Sequence, residues 1–500
     1  MTDALIQAVG YLFTLQSLSY LALGTGIGLL FGAVPGLGGT TALALLIPLT
    51  FGMDPDAAIV LVGGIMGGVP FGGSLSAILL NTPGAAPNAA TCFDGYPLAR
   101  QGKAGTAIGA AATASALGGL IGVAFMLAVI PIAKAIVLLF GPPEFFMLAV
   151  LGLSAIAVST GGKLLRGLIS GGFGLMLAFV GFDEVGGGLR YTADVEYLWD
   201  GVQLVPALIG LFAIAEMIQL STVGGRVAIG SSNERLSHVF SGVKHVFGNL
   251  STLLRGSAIG AFVGAVPGIG GTVASFLSYS TARQLSKDPE SFGQGNIQGV
   301  IASEAANNAK DGGSLIPTLA FGIPGSAEMA VFLGVLVLHG LEPGPRLLLE
   351  HEDLIYGLIM ALSLACVMAS MAGLLLARYL VLITRTDVRY LAPIVTSVAL
   401  IGAYALQSNF GDVIAAAMFG VIGYFMVRYD YPRITLVIAL VLGSIAERSY
   451  HQSLMMSDGS YAIFFTRPVA DALLALIIVS LALPALKLFT RKLTGSDHGR

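Results

Sequence analysis

Two short segments rich in glycine and proline are the parts of this sequence best suited to binding an ion. Gly32–Thr40 reads GAVPGLGGT and Gly264–Thr272 reads GAVPGIGGT, so eight of the nine residues are identical. Proline lacks an N–H donor and glycine permits conformations that other residues avoid, so neither segment can continue as regular helix. Carbonyls freed at such a break can coordinate a cation, and N–H groups that open the next helix can bind an anion.

We therefore predict a helix start near each conserved threonine of the two segments, and we assign the surrounding residues to a substrate site. These residues are Gly36, Gly38, Gly39, Thr40 and Thr41 in the first segment, and Gly268, Gly270, Gly271 and Thr272 in the second. Further along, a Pro-Gly pair interrupts the apolar run that follows each segment. The pair and its neighbours add Asn81, Thr82, Pro83 and Gly84 to the first set, and Pro324, Gly325 and Ser326 to the second.

A polar block at Ser303–Asp311 lies beside apolar stretches, where charged groups are costly and mostly functional or paired. Its acidic and amide oxygens share one face of a helix and, with a nearby serine, suit a hard cation such as Na⁺. The predicted cation ligands are Glu304, Asn307, Asn308 and Ser314. Lys310 is assigned to the substrate site, because its ammonium group can hold a carboxylate. The alternative for the whole block is a solvated helix end at the membrane interface.

The composition indicates where these residues must lie. Charged residues are 11% of the chain and apolar residues are 55%, whereas ordinary soluble domains carry roughly 25% charged residues. The mean hydropathy is +0.85, and glycine accounts for 68 of 500 residues. A soluble protein could not cover its surface with so few charges, so we predict an all-α polytopic membrane protein embedded in a lipid bilayer. We expect no nucleic-acid partner.

Apolar stretches recur from residue 20 to residue 488, and several contain the breaks described above. Because one crossing needs about 20 residues, we predict about ten to thirteen membrane segments, re-entrant segments included. Each arm around Gly268–Gly271 is about 14 residues long, too short to cross alone. This length favours a re-entrant hairpin over one broken crossing.

The charges of the polar stretches predict the orientation of the chain. Ser221–Arg255 is basic and is expected in the cytoplasm, whereas Asp183–Asp200 and Glu342–Asp353 are acidic and are expected outside. The same rule places the N-terminus outside and the C-terminus in the cytoplasm. We predict an N-terminal transmembrane half at 1–220, a cytoplasmic linker at 221–255 and a C-terminal half at 256–500.

The breaks belong to a longer internal repeat, at about 20–105 and about 256–345. Both copies contain, in the same order, the GAVPG segment, an acidic corner, a Gly-Gly-Ser-Leu motif and the Pro-Gly pair. The first copy ends at the basic Arg100 and Lys103, whereas the second ends at the acidic Glu342–Asp353. Opposite flanking charges predict two inverted-topology repeats, an arrangement common in secondary transporters.

No enzyme motif accompanies these features, and we predict that the chain is not an enzyme. The glycine-rich breaks lack the lysine of a phosphate-binding loop, and no HExxH metal motif occurs. The two cysteines, Cys92 and Cys366, stand outside any Cys/His cluster. A channel remains an alternative to a carrier, because channels also use breaks lined by carbonyl groups.

Four blocks of the sequence resemble the large membrane subunit of tripartite tricarboxylate transporters, the TctA type. The blocks are Gly32–Pro55, Asn81–Gly105, Glu304–Pro317 and His339–Pro345. The resemblance extends over nearly the whole chain. It implies uptake of a di- or tricarboxylate across the bacterial inner membrane, with a small membrane subunit and a periplasmic solute-binding protein as partners. It also implies drive by a cation gradient, with Na⁺ as the expected cation and no other cofactor. A carboxylate channel or a non-transporting membrane scaffold are the alternatives.

The inverted repeat can be tested by the sidedness of two positions. In a chain from which both native cysteines have been removed, single cysteines at Gly102 and His351 should react with an impermeant thiol reagent from opposite sides of the membrane. The reason is that each position follows one copy of the repeat. Reaction of both positions from the same side would contradict the inverted repeat.

Overall fold

The computed structural model describes residues 2–159, 164–183, 186–223, 238–383 and 388–479. The elements of the N-terminal half are α1 Thr2–Leu12, α2 Leu15–Ala33, α3 Gly38–Thr50, α4 Pro55–Leu80, α5 Ala89–Arg100, α6 Ala104–Val137, α7 Pro142–Ser159, α8 Leu164–Ala178, β1 Gly181–Phe182, β2 Leu189–Arg190, α9 Leu204–Leu208 and α10 Ala215–Val223. A π-helical turn, Ile209–Ile214, joins α9 to α10, and β1 pairs antiparallel with β2.

The remaining elements are all helices. They are α11 Val239–Gly248, α12 Leu250–Gly264, α13 Gly270–Leu285, α14 Ile297–Phe321, α15 Ala327–Leu338, α16 Pro345–Glu350, α17 Glu352–Ile383, α18 Val388–Gln407, α19 Phe410–Arg428, α20 Arg433–Met456 and α21 Pro468–Val479. The all-α fold class predicted from composition is confirmed for the described residues.

Among the described residues, eight helices are long and apolar enough to cross a membrane, or nine if α11 and α12 are counted as one bent span. The sequence predicts about ten to thirteen segments. The difference arises because several apolar stretches form helices too short to cross alone. These short helices include α3, α13 and α15, with 13, 16 and 12 residues. The chain is a multi-pass membrane protein.

The predicted linker at 221–255 is only partly described, since residues 224–237 lie outside the described ranges. Its later part is helical, because α11 and the first turn of α12 fall within it, and α11 meets α12 at a bend of 80°. The basic C-terminal tail that supports the predicted orientation also lies outside the described ranges.

The chain forms two compact units, and each takes residues from both predicted halves. One unit contains 1–134 and 205–424, and therefore both copies of the repeat. The other contains 135–204 and 425–500. Within this second unit, Gly174 of α8 packs closely on the backbone of α20, and Arg190 of β2 donates two hydrogen bonds to Glu447 at 2.7 and 3.0 Å.

In the first copy, α2 and α4 run parallel in close contact. Gly28 packs on the backbone of Ile65, and one turn later Gly32 packs on Val69. Successive turns of one helix thus meet successive turns of the other in the same direction. Because α3 connects two parallel helices, it must return between them, so α2 and α3 form a hairpin.

The second copy repeats this arrangement. Gly256 of α12 contacts Ala302 of α14, and Gly264 contacts Lys310, so these helices are also parallel. Gly256, eight residues before the end of α12, additionally lies against Ser278, eight residues after the start of α13. The two arms therefore lie side by side, and the predicted hairpin, rather than one broken crossing, is the observed geometry.

Each copy of the repeat also packs against a helix of the other half. Gly63 of α4, in the first copy, packs on Ala361 of α17, in the second half. Gly118 of α6, in the first half, packs on Ala305 of α14, in the second copy. Small residues at these contacts let the helix backbones approach, which is the usual basis of helix packing in a membrane.

The contact between α2 and α4 can be tested with two neighbouring glycines. Gly28→Val places a side chain against the carbonyl of Ile65, so it should destabilise the chain by roughly 1–3 kcal/mol or more. Gly26→Val is the matched control, because no atom lies within 4 Å of its added Cβ. Thermal melting of the purified protein in detergent should separate the two variants. Equal melting temperatures would contradict the parallel contact.

Candidate functional site

The tip of each hairpin has the backbone conformation that requires glycine. Gly36 and Gly38 have φ of +87° and +57°, and Gly268 and Gly270 have φ of +77° and +73°. Side chains are disfavoured at such angles, which explains the matched glycines in the two segments. The helices after the breaks begin at Gly38 and Gly270, two residues before the predicted Thr40 and Thr272.

Each tip contacts residues that follow the Pro-Gly pair of the other copy, Glu328 at the start of α15 and Pro87 after Gly84. Gly39 lies against the carboxylate of Glu328, and a Cβ there would overlap it. Gly271 lies against the side chains of Lys310 and Pro87. The structure therefore brings together the substrate residues predicted on the two hairpins, and it adds Glu328, which the sequence analysis missed.

Lys310 lies at this meeting point and is paired with two carboxylates. Its Nζ is 2.5 Å from Asp311 Oδ1 and 2.9 Å from Glu328 Oε2, and the residue is 3% exposed. The alternative of a solvated helix end is therefore wrong. An ammonium group has three donors, so one remains without a partner among the described residues. The three groups together carry one negative charge.

Both Pro-Gly loops fold back on the first arm of their own hairpin. Gly84 lies against the carbonyl of Gly32, and Gly325 lies against the carbonyl of Gly264 and against Ser314. The flanking residues have local partners. Ser326 accepts the backbone N–H of Met329, Thr82 donates to the carbonyl of Leu80, and Asn81 ends α4 with φ of +52° and is exposed. Pro83 and Pro324 are the prolines of these loops.

The predicted threonines differ in their surroundings. Thr41 is 2% exposed, and its hydroxyl donates to the carbonyl of Phe212 at 3.3 Å. Thr40 and Thr272 are half-buried in the first turns of α3 and α13. Neither helix has a side-chain cap at its start, so the N–H groups of both first turns remain available.

Glu304, a predicted cation ligand, is completely buried in a pocket of hydroxyl groups from three helices of the first half. Oε2 accepts from Ser74 of α4 at 2.5 Å and from Ser115 of α6 at 3.0 Å, and Oε1 accepts from Thr91 of α5. Asn88 completes the pocket by donating to Ser74 at 3.1 Å. We call these five residues the Glu304 pocket.

The other predicted cation ligands do not join Glu304 in one coordination shell. Asn308 donates to the sulfur of Cys366 at 3.8 Å, and its Oδ1 is buried without a partner among the described residues. Asn307 is equally buried, and its Nδ2 lacks a described partner. Ser314 donates to the carbonyl of Asp311 at 3.3 Å. Helical spacing places Asn307 and Ser314 on the face that carries Lys310.

Asp94 is a further buried carboxylate. The Gly95-Tyr96-Pro97 that follows it is a sequence typical of a turn, and from sequence alone Asp94 is expected to be a turn residue, but α5 continues through this segment. Asp94 Oδ1 accepts three backbone N–H groups, from Gly293, Gly295 and Asn296, at 2.8–2.9 Å. The residue thereby fastens the loop before α14 to α5, and no local signal in the sequence reveals such a distant partner.

The charge balance at Lys310 can be tested through stability. Lys310→Met leaves the buried Asp311 and the half-buried Glu328 without a cation and should cost roughly 3–5 kcal/mol. Adding Asp311→Asn should restore part of the loss, because one of those charges is removed. The control is Arg346→Met, since Arg346 and Glu342 are 72% and 70% exposed and such pairs contribute little. Melting of Lys310→Met at the wild-type temperature would contradict the pairing.

Comparison with known proteins gives one family match and two similar sequences. Residues 18–438 match the model of the tripartite tricarboxylate transporter TctA family. An uncharacterized 52.8 kDa protein in the TAR-I ttuC' 3' region of Agrobacterium vitis is 33% identical over 467 residues, 93% of each chain. An uncharacterized protein in the TAR-II ttuC' 3' region of the same organism is 35% identical over 227 residues, 45% of this chain and 94% of that protein. No solved structure matches significantly. The chain belongs to the tripartite tricarboxylate transporter TctA family.

Proposed function

We propose that this chain is the carrier subunit of a three-component system that takes up a di- or tricarboxylate across the bacterial inner membrane. A periplasmic solute-binding protein delivers the substrate, and a small membrane subunit completes the system. The observation that carries the proposal is that both hairpin tips contact the ion pair of Lys310 and Glu328, Gly271 at Lys310 and Gly39 at Glu328. Broken helices that meet inside a multi-pass protein are the usual form of a transporter's binding site.

The tips offer suitable partners for the carboxylate groups of a substrate. The uncapped starts of α3 and α13 each present N–H groups and about half a positive charge. Lys310 contributes its remaining donor. The glycines of both tips let the substrate approach the backbone, and the half-buried Thr40 and Thr272 add hydroxyl groups.

Charge neutrality requires a co-transported cation. The group of Lys310, Asp311 and Glu328 already carries a net negative charge, so it cannot balance a di- or trivalent anion. The two helix starts together balance about one charge. A cation that enters with the substrate supplies the rest, and its gradient supplies the energy. Na⁺ is the first candidate, with Asn307, Asn308 and Ser314 as the oxygen ligands nearest to Lys310 along α14.

Two inverted repeats give this carrier a means of alternating access. The copies share the hairpin, the long parallel helix and the Pro-Gly loop, and their flanks carry opposite charge. In the proposed orientation, the N-terminus is outside and the C-terminus is in the cytoplasm. Helices of each half pack on helices of the other half. One copy can therefore move against the other while the site between them stays fixed.

Counterflow tests the transport function against its two alternatives. The full chain, reconstituted in proteoliposomes with its small membrane subunit, should take up radiolabelled citrate or succinate faster when the same compound is loaded inside. A carrier shows this trans-stimulation because the loaded site reorients faster than the empty one. Uptake without trans-stimulation would indicate a channel. No uptake of any carboxylate, with the binding protein present, would indicate a scaffold.

A further inference from the structure

The carboxyl group of Glu304 takes no part in the contacts described at the hairpin tips. Glu304, Ser74 and Ser115 are at most 1% exposed, and so are Thr91 and Asn88. Within the described chain, Glu304 forms no ion pair with a lysine, arginine or histidine. An ionised carboxylate in such a place is costly, because hydroxyl groups alone replace the water it has lost.

The hydroxyl groups around Glu304 have a second acceptor within reach. Ser74 Oγ lies 2.9 Å from the carbonyl oxygen of Pro70, and Thr91 Oγ1 lies 3.0 Å from Ser303 Oγ. A hydroxyl group carries one proton and can turn it toward either acceptor. When Glu304 is ionised, both hydroxyl groups donate to it. When Glu304 is protonated, it donates to one of them, and that hydroxyl group donates to its second acceptor.

In both protonation states, the carboxyl group and the hydroxyl groups around it keep their hydrogen bonds, and no helix has to move. Asn88 holds Ser74 in place, because its Nδ2 donates to Ser74 Oγ and to the carbonyl of Pro70. The proton that is gained or lost is therefore carried by Glu304 itself, and the surrounding hydroxyl groups turn to accommodate it.

The distances in the pocket are those of hydrogen bonds. Ser74 and Ser115 lie 2.5 and 3.0 Å from the same Glu304 oxygen. Oxygen ligands at about 2.3–2.6 Å from an ion the size of Ca²⁺ or Na⁺ stand about 3.3 Å or more apart, so these side chains would have to separate to coordinate such an ion. The arrangement observed suits a proton.

We propose that Glu304 is the proton-binding residue of this carrier, and that each carboxylate is taken up together with a proton bound there. The proposal rests on the proposed transport function and names the ion that this side chain carries. Glu304 lies on α14, six residues before Lys310, so one helix carries both the proton and the substrate contact. The other titratable side chains near the pocket are Cys92, which interacts electrostatically with Glu304, and Asp94, one turn further along α5.

Glu304→Gln tests the proposal, because glutamine resembles the protonated acid but cannot release a proton. In proteoliposomes with equal Na⁺ on both sides, a pH gradient, acidic outside, should drive wild-type accumulation of radiolabelled succinate. The variant should lose this accumulation and keep counterflow, since exchange requires no net release of a proton. Wild-type counterflow should fall as pH rises, and the variant should show no such dependence. Glu342→Gln, an exposed residue, is the control and should behave as wild type.

A second pair of variants decides the matter if Glu304→Gln does not fold. Thr91→Val and Ser115→Ala each remove one donor to the ionised carboxylate, so the proton should be held more tightly. The midpoint of the pH dependence of counterflow should then move up by about one unit. Unchanged midpoints in both variants, or pH-driven accumulation by Glu304→Gln, would overturn the proposal. Absence of wild-type counterflow would instead contradict the transport function itself.

Discussion

Close contact between parallel helices is the constraint on which the rest of this structure depends. In each copy of the repeat, glycines on the first arm of a hairpin meet the backbone of the long helix that follows, α2 against α4 and α12 against α14. When two helices of one chain run parallel, the segment that connects them must run back in the opposite direction. The glycine-rich break allows the chain to reverse there. The tips are only partly buried, since Gly38 and Gly39 are buried whereas Gly36 and Val266 are exposed.

The breaks at the tips explain why polar groups are concentrated at this point. A broken helix leaves N–H and carbonyl groups that hydrocarbon cannot satisfy, so the break must be surrounded by protein or by ligand. Here the start of each helix after the break is covered by the other copy, Gly39 by Glu328 of α15 and Gly271 by Pro87. The two copies thereby form one site, and neither copy could form it alone.

Helix α14 contains two buried charged centres whose electrostatics differ. Lys310 is paired with Asp311 and Glu328, so its ammonium group is held in place by two ion pairs. Glu304 has hydroxyl and amide neighbours only, so its charge depends on whether a proton is bound. The first centre suits the binding of a substrate once a cation accompanies the anion, and the second suits an ion that must be released. Their placement on one rigid helix offers a direct route for coupling between them.

The sequence by itself determined the fold class, the repeat and the position of both breaks, because these depend on local properties. Hydropathy identifies membrane helices, and a Pro-Gly-rich break predicts its own location, to within two residues for the starts of α3 and α13. The burial of Asn307 and Asn308 did not follow from the sequence, which left a solvated helix end as the alternative for their block. The tertiary structure alone decided which polar groups meet. Glu304 and Ser74 are 230 residues apart, and Asp94 lies 199 or more residues from the N–H groups it accepts. Such contacts depend on helix crossings, and no periodicity along a single segment encodes them.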